Sequence, residues 1–280
     1  MTVRIVTDST ADLSRDIVDQ YGITVVPLTV FFGDEALLDG VDIDPDQFLA
    51  RLATSPVLPR TSQPSAELFR QAYEELAKGT NEIVSIHLSS KLSGTLNSAS
   101  VARDQVAHGD LSIELIDSYT VSLGLGLIVR EAAAAASGGA GLAEVVAVAR
   151  HAMDRVSVAI LVDTLEYLRK GGRIGRASSF LGSVLSIKPI ISIEDGEVVP
   201  VERVRTRSKA RERLFEMATQ DKRAKAVFAA YTGDASETNA FVDRLRAALP
   251  HTDVRAARLG PTVGVYVGTN ALGIAVLHGD

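Results

Sequence analysis

Residues 82–106 of this chain, EIVSIHLSSKLSGTLNSASVARDQV, decide its fold. The first seven of them, 82–88, are short, mostly apolar and rich in β-forming side chains, which predicts a buried strand. A hydroxyl-rich turn follows at 89–95, and residues 96–106 have the composition of a helix. A strand, a turn and a helix in this order form the repeating unit of a parallel α/β sheet.

The same alternation extends through the first half of the chain. Further strands are predicted at residues 3–7, 24–32 and 112–117. Helices are predicted at residues 14–21, 45–53, 65–78 and 121–137. We therefore expect a parallel sheet with helices on both faces and with ligand sites at the carboxyl ends of its strands.

The second half of the chain has a different pattern. Glu194-Asp195-Gly196-Glu197 separates two apolar, β-rich runs, which predicts a hairpin and therefore antiparallel pairing. Helices are predicted at residues 142–154, 208–220 and 236–249, and strands at 157–162, 226–231 and, once or twice, within 263–277.

The predicted fold class is thus α/β with two domains. Residues 1–155 are expected to form an N-terminal three-layer α/β/α parallel sheet of the Rossmann-like kind. Residues 156–280 are expected to form a C-terminal two-layer α/β domain with a mixed sheet.

Composition excludes several classes of protein. There is no cysteine, so disulfides, thiol chemistry and cysteine-ligated metals are excluded. No apolar run approaches the roughly 20 residues of a membrane span, and Met1 leads directly into a predicted strand. We expect a soluble cytoplasmic protein without integral membrane association, without a metal and without a cofactor.

The charge is unevenly distributed. The net charge is −6, yet residues 169–213 carry 11 Lys/Arg against 5 Asp/Glu. An acidic protein with one basic segment is a poor candidate for nucleic-acid binding and a reasonable one for docking a specific anionic partner. A solvated basic face is an equally good interpretation of the charge pattern alone.

Two hydroxyl-rich turns precede predicted helices. They are Thr61-Ser62-Gln63-Pro64-Ser65 and Ser89-Ser90-Lys91-Leu92-Ser93-Gly94-Thr95. Free N–H groups at a helix N-terminus, together with Ser and Thr hydroxyls, can hold an anion. A single Ser or Thr before a helix is usually an ordinary cap. The double occurrence, with Gly94 leaving room for a ligand to approach the backbone, favours a site for an anionic head group.

No convincing catalytic group accompanies these turns. The five histidines lack metal-ligand spacing and triad order, and neither a GxSxG nor a GxxxxGK[ST] motif occurs. Asp8 follows the first strand, but Thr10 stands where a dehalogenase-type phosphatase needs a second acid, so Asp8 is expected to cap the next helix or line the cleft. A binding protein is favoured. The alternatives are a cleft enzyme that uses Asp8 and a regulatory protein that binds a partner through the basic segment.

The ordered set of motifs resembles the DegV family over residues 3–278. The motifs that carry the resemblance are residues 7–12, 61–65, 89–95, 117–118, 168–174 and 188–190. The resemblance implies two α/β domains that hold one long-chain fatty acid, such as palmitate, in the cleft between them. It also implies a carrier in phospholipid metabolism, because several members present the carboxylate to an ATP-binding partner as the binding subunit of bacterial fatty acid kinase.

The resemblance further implies roles for individual residues. Thr61 and Ser93 would bind the carboxylate, and the rest of the head-group site would comprise Ser62, Gly94, Thr95, Arg173 and Tyr266. A partner-facing basic surface would comprise Lys170, Arg203, Arg205 and Arg207. The apolar stretches 158–168 and 180–187 would line the tail pocket, or would be ordinary core.

One stretch departs from the family pattern. Many members have Gly-x-His-x-Gly-Pro-Gly near the C-terminus, where this chain has Gly264-Val265-Tyr266-Val267-Gly268-Thr269-Asn270. A phenol donates a hydrogen bond but carries no positive charge. We therefore expect carboxylate binding to survive and support of an acyl phosphate to weaken, or a different acid to be recognised.

Overall fold

The computed structural model describes residues 2–182, 187–233 and 235–280, which form a mixed α/β fold. The strands in these ranges are β1 (Arg4–Asp8), β2 (Thr24–Val26), β3 (Thr29–Phe32), β4 (Glu35–Leu38), β5 (Arg60–Ser62), β6 (Glu82–His87), β7 (Ser112–Asp117), β8 (Val156–Leu161), β9 (Lys188–Glu194), β10 (Glu197–Val204), β11 (Ala226–Tyr231), β12 (Asp253–Arg258) and β13 (Leu272–Leu277).

The helices connect these strands. They are α1 (Arg15–Tyr21), α2 (Pro45–Thr54), α3 (Ala66–Ala77), α4 (Thr95–Val106), α5 (Leu123–Ser137), α6 (Leu142–Met153), α7 (Glu166–Lys170), α8 (Arg207–Thr219), α9 (Ala235–Ala248) and α10 (Pro261–Val267). Short 3₁₀ turns follow β1 at Ser9–Ala11 and α7 at Gly175–Phe180.

The predicted parallel sheet is confirmed. Its strand order is β2-β1-β6-β7, and every pairing is parallel. Side chains alternate between its faces, so Val6 and Ile83 pack with α3 and α4, whereas Ile5 and Val84 pack with α5 and α6. Burial of both faces explains the consecutive apolar residues in β1 (Ile5, Val6) and in β6 (Ile83, Val84).

The predicted strand at residues 24–32 is two strands in different sheets. Residues 24–26 pair with β1, whereas β3 joins β4 and β5 in a separate antiparallel sheet of order β4-β3-β5. Pro27 stands at the break, and a proline cannot donate to a strand ladder. The first hydroxyl turn is corrected too, because Thr61 and Ser62 belong to β5 and pair with β3.

The second sheet has the order β10-β9-β8-β13-β11-β12. The predicted hairpin is confirmed: β9 and β10 are antiparallel, and both Asp195 (φ 51°) and Gly196 (φ 81°) have the positive φ that a tight two-residue turn requires. The pair β11 and β12 is parallel, so the sheet is mixed as predicted. Helices α8 and α9 cover one of its faces.

Helix α5 lies between the two sheets. It contacts β1 and β6 on one side and β8, β11 and β13 on the other. Eleven of its fifteen residues are buried, which accounts for its apolar, alanine-rich sequence. The largest core cluster accordingly includes residues from both halves of the chain, such as Ile86 and Phe228. The domain boundary at residue 155 remains a prediction.

One or two strands are predicted within residues 263–277, and the structure has one of them, β13. Residues 261–267 form α10, and only β13 is a strand. Pro261 stands in the first turn of α10, where its fixed φ favours helix and its missing N–H costs nothing. The helix is buried over most of its surface, so its apolar sequence lacks the periodicity that distinguishes a helix from a strand. Tyr266 therefore lies on a helix.

Candidate functional site

A cavity lies at the carboxyl ends of the parallel strands, facing the second sheet. The apolar side chains that line it come from both halves of the chain: Leu28, Leu88, Leu92, Val121, Ile160, Leu168, Ile191, Ile193, Val198, Val263 and Val267. Its polar lining consists of Thr10, Thr61, Gln63, Ser93, Arg173, Thr262 and Tyr266. A mostly apolar cavity with a few polar groups is typical of a small-molecule site. Two apolar stretches, 158–168 and 180–187, are predicted to line the tail pocket. The first contributes Ile160 and Leu168 to the cavity lining. In the second, residues 183–186 lie outside the described residues.

The first hydroxyl pair joins Thr61 of β5 to Tyr266 of α10. The oxygens Oγ1 of Thr61 and OH of Tyr266 are 2.6 Å apart, and either can be the donor. The bond uses the hydrogen of whichever hydroxyl donates. The other hydroxyl can donate its own hydrogen to a ligand oxygen. Strand pairing of β5 with β3 fixes Thr61, and burial of α10 fixes Tyr266.

The second hydroxyl pair is Ser93 and Thr95. Their side-chain oxygens are 2.9 Å apart, and the Thr95 N–H donates to Oγ of Ser93 at 3.3 Å. Thr95 is fully buried at the start of α4 and does not line the cavity. Thr95 therefore orients Ser93, and when Thr95 donates, the Ser93 hydrogen is free to point into the cavity.

Gly94 and Ser62 occupy places that the sequence did not indicate. Gly94 has an ordinary φ of −78°, but a Cβ on it would lie 2.9 Å from Nε2 of Gln63. The space beside Gly94 is thus filled by the Gln63 amide and not left open to a ligand. Ser62 does not line the cavity, and its hydroxyl donates to the carbonyl of Gln63 at 3.3 Å.

Arg173 lies beside Tyr266 at the edge of the cavity. Its Nε donates to the Leu92 carbonyl at 3.1 Å, one terminal nitrogen donates to the Gly171 carbonyl at 2.9 Å, and its Cζ is 5.5 Å from the centre of the Tyr266 ring. These contacts hold a positive charge next to the hydroxyl pair. Gly171 also makes room for the ring, because a Cβ there would lie 2.6 Å from a Tyr266 ring carbon.

An outer cleft adjoins the cavity. Thr61, Arg173 and Tyr266 line both spaces, so these side chains stand between them. The outer cleft also contains Arg60 and Lys170. The head-group end of the cavity therefore adjoins a cleft with three basic side chains.

The other predicted basic residues lie elsewhere. Arg203 donates to the Ser179 carbonyl at 2.8 Å and stacks on Phe180, and Arg205 is exposed. Arg207 is paired with Glu237 at 3.3 Å, lies 3.5 Å from Asp163 and donates to the Asn270 carbonyl. Its charge is compensated within the chain, so it does not extend the basic surface as a free cation.

Asp8 is enclosed by its own chain. It caps the 3₁₀ turn after β1, as predicted, by accepting hydrogen bonds from the Thr10 N–H at 3.1 Å and the Thr10 hydroxyl at 2.5 Å. Its other oxygen is 3.0 Å from both the Leu88 N–H and Nδ1 of His87. Since Thr10 and Leu88 line the cavity, Asp8 positions part of the cavity wall.

Two further buried carboxylates hold the N-terminal end of α10. Asp39 accepts from the Thr262 N–H at 3.2 Å and from the Ser9 hydroxyl at 3.0 Å, and Asp12 accepts from the Gly260 N–H at 2.9 Å. Burial raises the pKa of Asp39 to about 6 and raises that of Asp12 well above its usual range. Sequence reasoning assigned no role to Asp39, Asp12 or Gln63, although Asp12 and Gln63 lie in the motifs at residues 7–12 and 61–65.

Two absences apply to the described parts of the chain. Within residues 2–182, 187–233 and 235–280, no cluster of three or more His, Asp or Glu side chains is arranged to hold a metal ion. None of the helices in those ranges combines the length and the apolar character needed to cross a membrane.

A family model matches nearly the whole chain. It is described as "Uncharacterised protein, DegV family" and matches residues 2–279. A DegV domain-containing protein of Streptomyces coelicolor is 38% identical over 278 residues, which cover 98% of each chain. Protein DegV of Bacillus subtilis is 33% identical over 281 residues, again 98% of each chain.

Solved structures of similar proteins share the fold. A DegV family protein from Thermus thermophilus, described for its fatty acid binding, has a TM-score of 0.90 and 32% identity over 99% of this chain and 100% of its own. DegV from Bacillus subtilis, described as a fatty acid binding protein, has a TM-score of 0.90 and 30% identity over all of both chains. A stearic acid-binding protein from Eubacterium ventriosum has a TM-score of 0.88 and 25% identity over 99% of this chain and 98% of its own.

Proposed function

The chain belongs to the DegV family, and from that premise we propose that its cavity binds one long-chain fatty acid with the carboxylate at Thr61, Ser93 and Tyr266. One observation carries the proposal. Three hydroxyl groups, next to Arg173, stand at one end of a cavity whose remaining walls are mostly apolar. That arrangement complements a molecule with one anionic end and a long hydrocarbon tail.

The hydroxyl pairs suit a carboxylate in particular. Each pair keeps one hydrogen that is not used within the protein, and a carboxylate accepts hydrogen bonds on both oxygens. Bonds of this kind to an ionised group are shorter and stronger than bonds between neutral groups. The guanidinium of Arg173 adds a favourable charge at the same end.

The hydrocarbon tail supplies most of the binding free energy. Burying about 15 methylenes contributes roughly 12 kcal/mol before opposing terms, at about 0.8 kcal/mol each. Ordering the chain and losing its free motion offset a large part of this gain. The hydroxyl groups consequently set the orientation of the ligand more than its total affinity.

The outer cleft suggests what happens to the carboxylate. It joins the head-group end to Arg60 and Lys170, so an anionic group arriving from a partner would meet basic side chains there. We propose that the bound carboxylate is presented through this cleft to an ATP-binding fatty acid kinase partner. Tyr266 offers no positive charge beside the carboxylate. We therefore expect this chain to support phosphorylation of the carboxylate less well than family members with a histidine at this position.

The enclosure of Asp8 supports a carrier and not a cleft enzyme that depends on this residue. Its two carboxylate oxygens contact Thr10, His87 and Leu88, and the side chain is fully buried. A general base must reach a substrate proton directly or through one water. Asp8 instead reaches Thr10, which itself lines the cavity.

Lipid analysis tests the proposal. Purified protein is denatured in organic solvent, and the released lipid is identified and quantified by mass spectrometry. We expect close to one long-chain fatty acid per chain. A Val121→Trp variant, which fills the cavity, should release none, whereas the surface variant Lys225→Ala should match the unmodified protein. Protein that neither carries a fatty acid nor binds added palmitate would overturn the proposal.

A further inference from the structure

The side-chain amide of Gln63 lies at the cavity but has no role in the carboxylate site described so far. It lines the cavity together with Ser93, although most of the residue is exposed. Within the described ranges, no backbone or side-chain group forms a hydrogen bond with this amide. Its two N–H donors are therefore free for a ligand.

Packing holds the amide in place. A Cβ built on Gly94 would lie 2.9 Å from Nε2 of Gln63, 3.2 Å from its Cδ and 3.6 Å from its Oε1. The amide thus rests on the bare backbone of the second hydroxyl turn, directly before Thr95. Pro64, which is buried, follows Gln63 and stiffens the chain between β5 and α3.

Gln63 and Gly94 meet in space. The φ of Gly94, −78°, is open to any residue, and a Cβ on Gly94 would require the Gln63 amide to move. The two hydroxyl turns, far apart in sequence, meet at this contact. Gln63 and Ser93 both line the cavity, as does Thr61, two residues before Gln63.

We propose that the Gln63 amide donates a hydrogen bond to the carboxylate of the bound fatty acid and so belongs to the head-group site. The proposal rests on the fatty-acid function proposed above. An N–H donor from Gln63 adds to the hydroxyls of Thr61, Tyr266 and Ser93, and a carboxylate has about four acceptor positions for them. Gln63 binds the ligand and takes part in no chemical step.

The test measures the ionisation of the ligand itself. Palmitate labelled with ¹³C at its carboxyl carbon is bound to the protein, and its carboxyl resonance is titrated with pH. Removing a donor from the ionised form raises the pKa of the bound carboxyl, so Gln63→Ala should raise it by about one unit. Gln63→Glu, which places a negative charge at the same point, should raise it further.

Two controls separate this role from a structural one. Gln105→Ala and Gln105→Glu make the same changes at an exposed position on α4, away from the cavity, and should leave the ligand titration unchanged. If Gln63→Ala releases palmitate altogether while its ligand-free unfolding temperature is unchanged, the amide is required for retention and the proposal stands. The same carboxyl pKa in Gln63→Ala and the unmodified protein would overturn it. No bound resonance in the unmodified protein would instead overturn the proposed function.

Discussion

The phenolic oxygen of Tyr266 lies 2.6 Å from Oγ1 of Thr61, across 205 residues of sequence. Thr61 belongs to the small antiparallel sheet and Tyr266 to helix α10, so the bond ties two separate elements together where the cavity meets the outer cleft. A ligand carboxylate that reaches this point meets a preformed pair of hydroxyls and need not assemble one. Preformed donors reduce the free energy lost in ordering side chains on binding.

Removing the phenolic hydroxyl should weaken fatty-acid binding without unfolding the protein. In Tyr266→Phe the ring keeps its contacts with Gly171 and Arg173, while Thr61 loses its partner. We expect palmitate affinity to fall about fivefold to tenfold, the size of one hydrogen bond. Isothermal titration calorimetry measures this, with Tyr119→Phe at an exposed position as the control. Equal affinity in the two variants would remove Tyr266 from the head-group site.

Ser93 should matter more than its neighbours in the same turn. Ser93→Ala removes a donor to the ionised carboxylate, and we expect the dissociation constant for palmitate to rise roughly tenfold or more. Ser90→Ala, in the exposed part of the turn, and Lys225→Ala, on the surface, should leave it within about twofold. The three variants are compared by the rate at which palmitate leaves each protein for an acceptor vesicle, because a higher dissociation constant is expected to appear as faster release. If Ser93→Ala retains palmitate as well as Ser90→Ala does, the carboxylate does not lie at this turn.

The larger features of the fold could be predicted from local sequence. Alternating strands and helices identified the parallel sheet, and Asp195-Gly196 identified the hairpin, because these signals depend on neighbours in sequence. The break at Pro27 and helix α10 were missed. An apolar run that is buried on all sides carries no periodicity, so the sequence does not distinguish a strand from a short helix there.

The site was predictable only where a motif carried it. Thr61, Ser93, Arg173 and Tyr266 stand in recognisable motifs and do line one cavity. Asp39 carries no such signal, since an isolated acid in a loop is ordinarily a solvated residue. Asp12 lies in the motif at residues 7–12, but nothing in that motif indicated a role for it. Their importance follows from burial against the backbone of α10, which is a property of the folded chain.

Asp39 should make stability depend on pH in a direction opposite to that of an ordinary paired carboxylate. Burial raises its pKa from the usual 3.8 to about 6 in the folded protein. The folded state therefore binds this proton more tightly than the unfolded state does. The stabilisation is complete below about pH 4 and is lost as the pH rises through about 6.

The variant Asp39→Asn isolates this effect. The difference in unfolding free energy, unmodified protein minus variant, should fall by up to about 3 kcal/mol between pH 4 and pH 7, since one pKa unit corresponds to about 1.4 kcal/mol. Urea unfolding at several pH values gives this difference. Carboxylates remote from Asp39 cancel from it, whereas Asp12, whose pKa the Asp39 charge raises, contributes to it. A difference that stays constant with pH would show that Asp39 titrates normally in the folded protein, and one that rises would show that its pKa is lowered there.

Gly171 should be intolerant of even one added methyl group, for a reason tied to Tyr266. A Cβ at Gly171 would lie 2.6 Å from a carbon of the Tyr266 ring, although the φ of −77° at this residue suits alanine. The ring would have to move away from Thr61, or the end of α7 would have to shift. Overpacking of this kind costs about 1–3 kcal/mol of stability.

Gly141→Ala is the matched control. A Cβ built on Gly141 would have no atom within 4 Å, and the φ of Gly141 is −78°. We expect Gly171→Ala, and not Gly141→Ala, to lower both the unfolding temperature and the palmitate affinity. Loss of stability with unchanged affinity would mean that the ring can move without disturbing the carboxylate, which would contradict a preformed Thr61–Tyr266 pair.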